Sequence, residues 1–187
     1  MNEYQKFSDR FTQNQFEPYI KSSEIDSLTD SLAHTISEKY KGKELIVLGI
    51  LKGSIVFLSD LIRKIEGVEL YVDFLKLSAL GRTESCDGTI VIDFDITLNV
   101  KDKAVLIVEE IIDTGRAVRF LMDRLAINQP LSMEVVTLFD KPYKRVINLV
   151  PDLIGKKVED EFLVGHGLDL NEYGRNLKEV YFLKYPN

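Results

Sequence analysis

Glu109, Glu110 and Asp113 fall within five residues of one another in the stretch VLIVEEIIDTGRAV, residues 105–118, where a greasy run stops. Carboxylates that close repel one another, and a turn built for structure alone has no reason to gather three of them. A cation or a set of hydroxyls is expected among them. The residues that follow, Thr114-Gly115-Arg116, lead into a helical pattern, and the amides at such a helix start form an anion cradle. Thr114 adds a hydroxyl donor, Gly115 permits close backbone approach, and Arg116 adds positive charge. A sugar phosphate reconciles the two halves: its phosphate lies on the turn, while the carboxylates accept hydrogen bonds from ribose hydroxyls or hold a hydroxyl-bound Mg²⁺.

Two other readings fit the same residues. Asp-Thr-Gly after an apolar pair also occurs in aspartic proteases, where two aspartates share a proton. That fold sets the motif among strands, with no long helix after the glycine. Alternatively, Asp113 caps a helix and the glutamates are favourable charges near its dipole. Neither effect asks for a carboxylate pair on a strand end.

The elements that must hold these groups read as alternating strands and helices. Leu28, Leu32 and Ile36 recur every fourth residue over 27–42, which ends in glycine, and predict an amphipathic helix. ELIVLGIL (44–51) reads as a buried strand, and GSIVFLSDLIRKIEG has helical spacing at Ile55, Leu58, Leu61, Ile62 and Ile65. LYVDFLKL (70–77) is a second strand, followed by a polar loop carrying the alternating, hairpin-like TIVIDFDI. The strand 104–110, the helix 116–127 and the strand 132–140 complete a second strand–helix–strand unit. Two such units support an α/β fold with a central parallel sheet and right-handed crossovers. In a parallel sheet the ligand crevice lies outside the carboxyl ends of the strands, where the three carboxylates sit. The segment from Pro151 reads as irregular, with short strand candidates FLVG and VYFLK; residues 1–25 read as an arm or hairpin with scattered aromatics.

With 187 residues, 45% hydrophobic and 29% charged, the chain reads as a single domain with a core that needs no staples. A net charge of −6 argues against a nucleic-acid surface, where a basic stripe is expected. A lone cysteine, Cys86, excludes an intramolecular disulfide and points to a reducing compartment. The polar start MNEYQKFSDR and the lack of a long apolar run make a cytoplasmic protein with no membrane segment the expectation. His34 reads as a solvated or packed histidine.

VLIVEEIIDTGRAV resembles the phosphoribosyl-diphosphate (PRPP) signature of type I phosphoribosyltransferases. GILKGSIVFLSDLIRKI (49–65), VDFLKLSALG (72–81), VVTLFDKPYKR (135–145) and PDLIGKKVEDEFLVGHGLDLNEYGRNL (151–177) resemble, in the same order, further segments of hypoxanthine-guanine phosphoribosyltransferases. The resemblance implies the type I phosphoribosyltransferase fold over residues 1–187, with a core over about 27–150 and a small hood from about 151–187 that takes in part of the N-terminal arm. It implies transfer of phosphoribose from PRPP to a 6-oxopurine with Mg²⁺, and a homodimer or homotetramer.

It also implies roles. Asp113 faces purine N7 and handles its proton. Glu109 and Glu110 hold the ribose hydroxyls, and Asp113, Thr114, Gly115, Arg116 and Ala117 wrap the 5′-phosphate. Leu51, Lys52 and Gly53 bind pyrophosphate, with the Leu51–Lys52 peptide often cis, and Arg175 adds a pyrophosphate contact. Lys141 donates to the purine 6-oxo group, Phe162 stacks on the base, Ile111 packs its other face, and Leu163 meets its 2-position edge. Asp169 lies beside the base and, with Glu109 and Glu110, supplies metal ligands. His166 stands where the family more often has an aromatic, and is expected to pack.

Four departures stand out. The acidic pair is usually Glu-Asp, and here it is Glu109-Glu110. The phosphate loop usually ends in a hydroxyl residue, and here it ends in Ala117. The mobile loop begins Ala79-Leu80-Gly81 in place of Ser-Tyr before glycine, and the loop GRTESCDGTIVIDFDI itself aligns poorly with the family. They keep open a second reading, a catalytically weak nucleotide-binding regulator.

Overall fold

The computed structural model of the chain describes residues 16–80 and 89–183. Six strands form the main sheet: β2 (Glu44–Leu51), β3 (Glu69–Leu80), β4 (Thr89–Phe94), β5 (Ala104–Ile112), β6 (Ser132–Asp140) and β7 (Leu153–Lys157), in the order β4-β3-β2-β5-β6-β7. All pair in parallel except β4, which returns antiparallel along β3 as the edge strand. A smaller antiparallel sheet, order β1-β9-β8, joins β1 (Phe16–Ile20) to β8 (Leu163–Val164) and β9 (Val180–Leu183). Tyr19 stacks on Phe182 across it, with ring centroids 4.0 Å apart.

The continuous apolar runs of β2 and β5 mark strands covered on both faces. Leu45 and Val47 point to the side where α1 (Ser22–Tyr40) and α2 (Ile55–Ile62) pack through Ile25, Leu32, Ile36, Phe57, Leu58 and Leu61. Their neighbours Ile46, Leu48 and Ile50 point to the other side, where α3 (Arg116–Ala126) lays down Val118, Leu121 and Leu125. The spacing of those three residues puts them on one stripe of the helix. No helix among the described residues is long and apolar enough to cross a membrane.

The α/β reading with a central, mostly parallel sheet holds, and the differences are local. The first helix begins at Ser22 rather than 27, because the Lys21 carbonyl accepts from the amides of both Glu24 and Ile25 and buries Ile25. The second stops at Ile62, although Ile65 still packs on the core. β7, inside the segment read as irregular, is a five-residue strand of LIGKK. Its glycine and two lysines hide the alternation that marks a strand, yet it extends the main sheet.

β2 hands the chain to β3 on one side, and β5 hands it to β6 on the other. The strand order therefore reverses between β2 and β5, which lie side by side, and a crevice opens at such a point. The Leu51 end of β2 and the carboxylate end of β5 face each other there.

Candidate active site

After Ile112 the chain turns through Asp113 and Thr114 to Gly115, which caps α3 with φ +81°, a region open mainly to glycine. A β-carbon on Gly115 would stand 3.0 Å from Arg145 Cδ and 3.1 Å from its Nη1, so both the angle and the space ask for glycine. The Arg116 amide donates to Thr114 Oγ1 at 3.4 Å, and Ala117 lies in the first turn of the helix.

The carboxylates at the end of β5 carry buried oxygens with no hydrogen-bond partner among the described residues. Glu110 is 1% exposed, and neither of its oxygens has a hydrogen-bond partner among the described residues; the same holds for Glu109 Oε2 and Asp113 Oδ1. Burial, reinforced by the nearby Asp113 charge, pushes the Glu109 carboxyl up to about 8. Glu109 is half-buried as a residue, but that one oxygen is closed off from solvent. Burial and then the Glu109 charge push Glu110 well above the carboxylate range. Arg175 and the Leu168 amide oppose that shift, although no donor reaches hydrogen-bond geometry. Unpaired buried acceptors cost stability, and two of them side by side mark a place completed by something else.

Two glycines wall Glu110 in. A β-carbon on Gly53 would come within 3.3 Å of Glu110 Oε2, and one on Gly167, at φ +99°, would overlap that oxygen and the Gly53 carbonyl. Glu110 thus joins the Leu51-Lys52-Gly53 loop to the loop that carries Gly167. The Leu51–Lys52 peptide is cis. Lys52 Nζ bonds Glu172 Oε1 at 2.9 Å. Arg175 bonds Asp169 at 2.8 Å, Glu172 at 3.1 Å and the Gly167 carbonyl at 2.8 Å, and Asp169 accepts from the Glu172 amide at 2.8 Å.

On the other side of Asp113 lies Lys141, only 4% exposed. Its ammonium donates to the Glu161 carbonyl at 2.8 Å and stands 3.6 Å from Asp113 Oδ1. Its amide donates to Ile112 O at 3.0 Å. Phe162, next to Glu161, is 38% exposed, Leu163 is buried and Ile111 is half-buried.

The fold therefore gathers three groups around the end of β5: the loop 51–53, the turn 113–117 with Lys141, and the segment 161–175. Sequence reading missed Glu172, which pairs with both Lys52 and Arg175; its position three residues before Arg175 was the available signal. It also missed the walling role of Gly167 and the Arg145–Gly115 packing. His166 is buried with Nε2 at 3.8 Å from Asp60, and burial lowers its pKa; His34 is exposed. Residues 81–88 of the departing loop, Gly81 and Cys86 among them, lie outside the described residues, as do residues 1–15.

Among the described residues no three acidic, histidine or cysteine side chains could hold a metal by themselves. The donor set suits Mg²⁺ nonetheless, because that ion uses one or two carboxylates and otherwise water and substrate phosphates. The orphaned oxygens of Glu109 and Glu110 are of that kind.

The model of the phosphoribosyl transferase domain matches residues 21–171. The hypoxanthine-guanine phosphoribosyltransferase of Aquifex aeolicus is 36% identical over 166 residues, covering 88% of this chain and 93% of that one. The enzyme of the same name from Staphylococcus aureus is 38% identical over 169 residues, covering 90% and 93%. A crystal structure of a hypoxanthine phosphoribosyltransferase from Staphylococcus aureus superposes with a TM-score of 0.88 at 35% identity, over 95% of this chain and 98% of that one. A hypoxanthine-guanine phosphoribosyltransferase from Bacillus anthracis gives 0.84 at 34%, over 89% and 97%. With its β5 signature at the strand-order reversal and relatives this similar over nearly their whole length, the chain belongs to the phosphoribosyl transferase domain family, among the hypoxanthine-guanine phosphoribosyltransferases.

Proposed function

We propose that this chain is a purine salvage enzyme that transfers the 5-phosphoribosyl group from PRPP to hypoxanthine or guanine, releasing IMP or GMP and pyrophosphate. One observation carries the reading: orphaned carboxylates, a phosphate-type turn and a buried lysine meet at one strand end. The similar enzymes from Aquifex and Staphylococcus support it by their names. Neither the site nor the relatives favour the regulator alternative, since a sensor needs no buried lysine set against an aspartate that lacks a hydrogen bond.

In this reading the phosphate lies on the amides of residues 113–117. Glu109, partly open, takes the ribose hydroxyls, whereas Glu110 lies on the Gly53 and Gly167 side, toward the pyrophosphate. Lys52 and Arg175, already tied through Glu172, flank that side. The bond from the anomeric carbon to pyrophosphate breaks and the bond to purine nitrogen forms, through an oxocarbenium-like transition state. Asp113 receives the proton at N7 through Oδ1, which makes no hydrogen bond among the described residues and has only the Lys141 ammonium at 3.6 Å beside it. Glu109 and Glu110 are the candidate ligands of Mg²⁺ and Asp169 that of a second ion; the metal, when bound, would supply charge stabilisation for the departing pyrophosphate. Lys141 donates to the purine 6-oxo group, with Phe162 and Ile111 packing the base and Leu163 at its 2-position edge. Adenine presents an amino group that cannot accept that bond, and its donor would face the Lys141 ammonium. A cytoplasmic homodimer or homotetramer goes with this reading.

A spectrophotometric panel of hypoxanthine, guanine, xanthine and adenine, with PRPP and Mg²⁺, tests it. Turnover of hypoxanthine or guanine but not adenine is expected. No turnover of either 6-oxopurine, under conditions where PRPP binds, removes the assignment.

A further inference from the structure

Arg145 has no part in the roles above, yet it packs on the phosphate turn. It follows the short helical turn Pro142–Lys144, and its Nη2 donates to Asp140, a buried carboxylate at the end of β6. Its other terminal nitrogen, Nη1, is buried with no hydrogen-bond partner among the described residues. That nitrogen and Cδ lie so close to Gly115 that a β-carbon there would stand only 3.1 and 3.0 Å from them. The surrounding segment is fastened to both flanks of the turn. The Lys141 amide donates to Ile112 O at 3.0 Å and the Val146 amide to Thr114 O at 3.3 Å, while Leu149 leans on Gly115.

A buried guanidinium with an unsatisfied edge is unfavourable unless another group offsets it. Asp140 neutralises one edge, and the edge left over faces the turn. A phosphate on residues 113–117 would place negative charge near that edge, in a copy of the turn where Ala117 offers no hydroxyl.

We propose that Arg145 is a positioning residue for the 5′-phosphate: Asp140 fixes its guanidinium against Gly115, and its positive edge supports the turn that lacks a hydroxyl at Ala117. The inference rests on the phosphoribosyltransferase reading. It makes Arg145 act through the turn, so its loss should discriminate ligands by phosphate and leave base recognition alone.

The test compares wild type with Arg145→Gln and Arg145→Lys, measuring calorimetric affinities for IMP and for inosine, and KM for PRPP against kcat. Arg145→Gln is expected to weaken IMP about tenfold or more and inosine less than about twofold, with KM for PRPP raised and kcat within about threefold. Arg145→Lys, which keeps the charge, is expected to retain the preference for IMP over inosine to within about threefold. Equal weakening of both ligands, or unchanged IMP affinity, overturns the role. If the glutamine variant does not fold, Asp140→Asn, which releases the guanidinium, decides: IMP weakened more than inosine supports the role, and equal weakening or unchanged IMP affinity overturns it. Wild-type turnover in the same preparation separates the two readings. Its absence removes the phosphoribosyltransferase assignment, whereas an active wild type with an indifferent variant removes only Arg145.

Discussion

Asp73 in β3 and the pair Glu109-Glu110 in β5 are acidic residues of one sheet, separated only by β2, and the fold treats them in opposite ways. Asp73 accepts four hydrogen bonds, from the amides of Phe74 at 2.8 Å, Thr97 at 2.7 Å and Leu98 at 2.9 Å and from the Thr97 hydroxyl at 3.1 Å. Burial alone would raise its pKa, but those donors outweigh it and hold the carboxyl below its usual range. Glu110 has no donor in hydrogen-bond geometry among the described residues and is pushed up, mainly by burial. A carboxylate whose donors come from its own fold fastens that fold; here Asp73 pins the chain returning from β4. A carboxylate denied donors is held for a ligand that brings them.

The comparison can be broken at its functional end first. Asp113→Asn keeps the shape but cannot take a proton, and kcat is expected to fall by about 10²–10⁴, with PRPP affinity much less affected. Steady-state and equilibrium binding measurements check it, and an unchanged kcat removes Asp113 from proton transfer.

At the structural end, Asp73→Asn replaces an acceptor-only group with one that turns a donor toward amides. A loss of roughly 2–3 kcal/mol in urea unfolding is expected, with KM for the purine little changed. The pH dependence has a definite sign. Because the folded pKa of Asp73 is lowered, its contribution is present above the unfolded value near 3.8 and is lost as pH falls through the folded value. The variant should therefore lose its deficit in strong acid, and a constant difference between pH 7 and pH 3 would contradict the assignment.

The smallest effect is expected at Ala117→Ser, which restores one donor to the phosphate turn. PRPP binding should tighten by about 1 kcal/mol, read as a lower KM with kcat unchanged. Weaker binding would mean that the turn has closed around alanine.

The legible parts of this molecule are those where neighbours in sequence are neighbours in space. β5 and its turn carry Glu109 through Ala117 in one unbroken stretch, and the apolar run followed by the Val118, Leu121 and Leu125 stripe declares a strand and then a helix. Lys141 was legible through its segment, although its tie to the Glu161 carbonyl depends on a loop twenty residues away. Glu172 was only half legible: its spacing to Arg175 is local, but Lys52 reaches it only when the loop after β2 folds against the segment 165–175. Arg145 reads in sequence as one more basic residue of KPYKR, and nothing local says that its partner is Asp140 or its neighbour Gly115. β7 was hidden because an edge strand of five residues borrows its register from β6.

The most direct measurement is the stability of Glu109→Gln beside its activity. With a folded pKa of about 8 against 4.5 unfolded, Glu109 contributes fully only below the unfolded value, and its contribution is lost as pH rises toward 8. Replacing it with neutral glutamine is expected to stabilise the ligand-free protein at pH 8 by on the order of 2 kcal/mol, after allowing for the part of the side chain open to solvent. The same variant should have little phosphoribosyl transfer left, because the ribose hydroxyls lose a charged acceptor and meet an amide donor in place of one of its oxygens. A variant that is less stable than wild type at pH 8, or that keeps full activity, would contradict the claim that this carboxylate is held in reserve for a ligand.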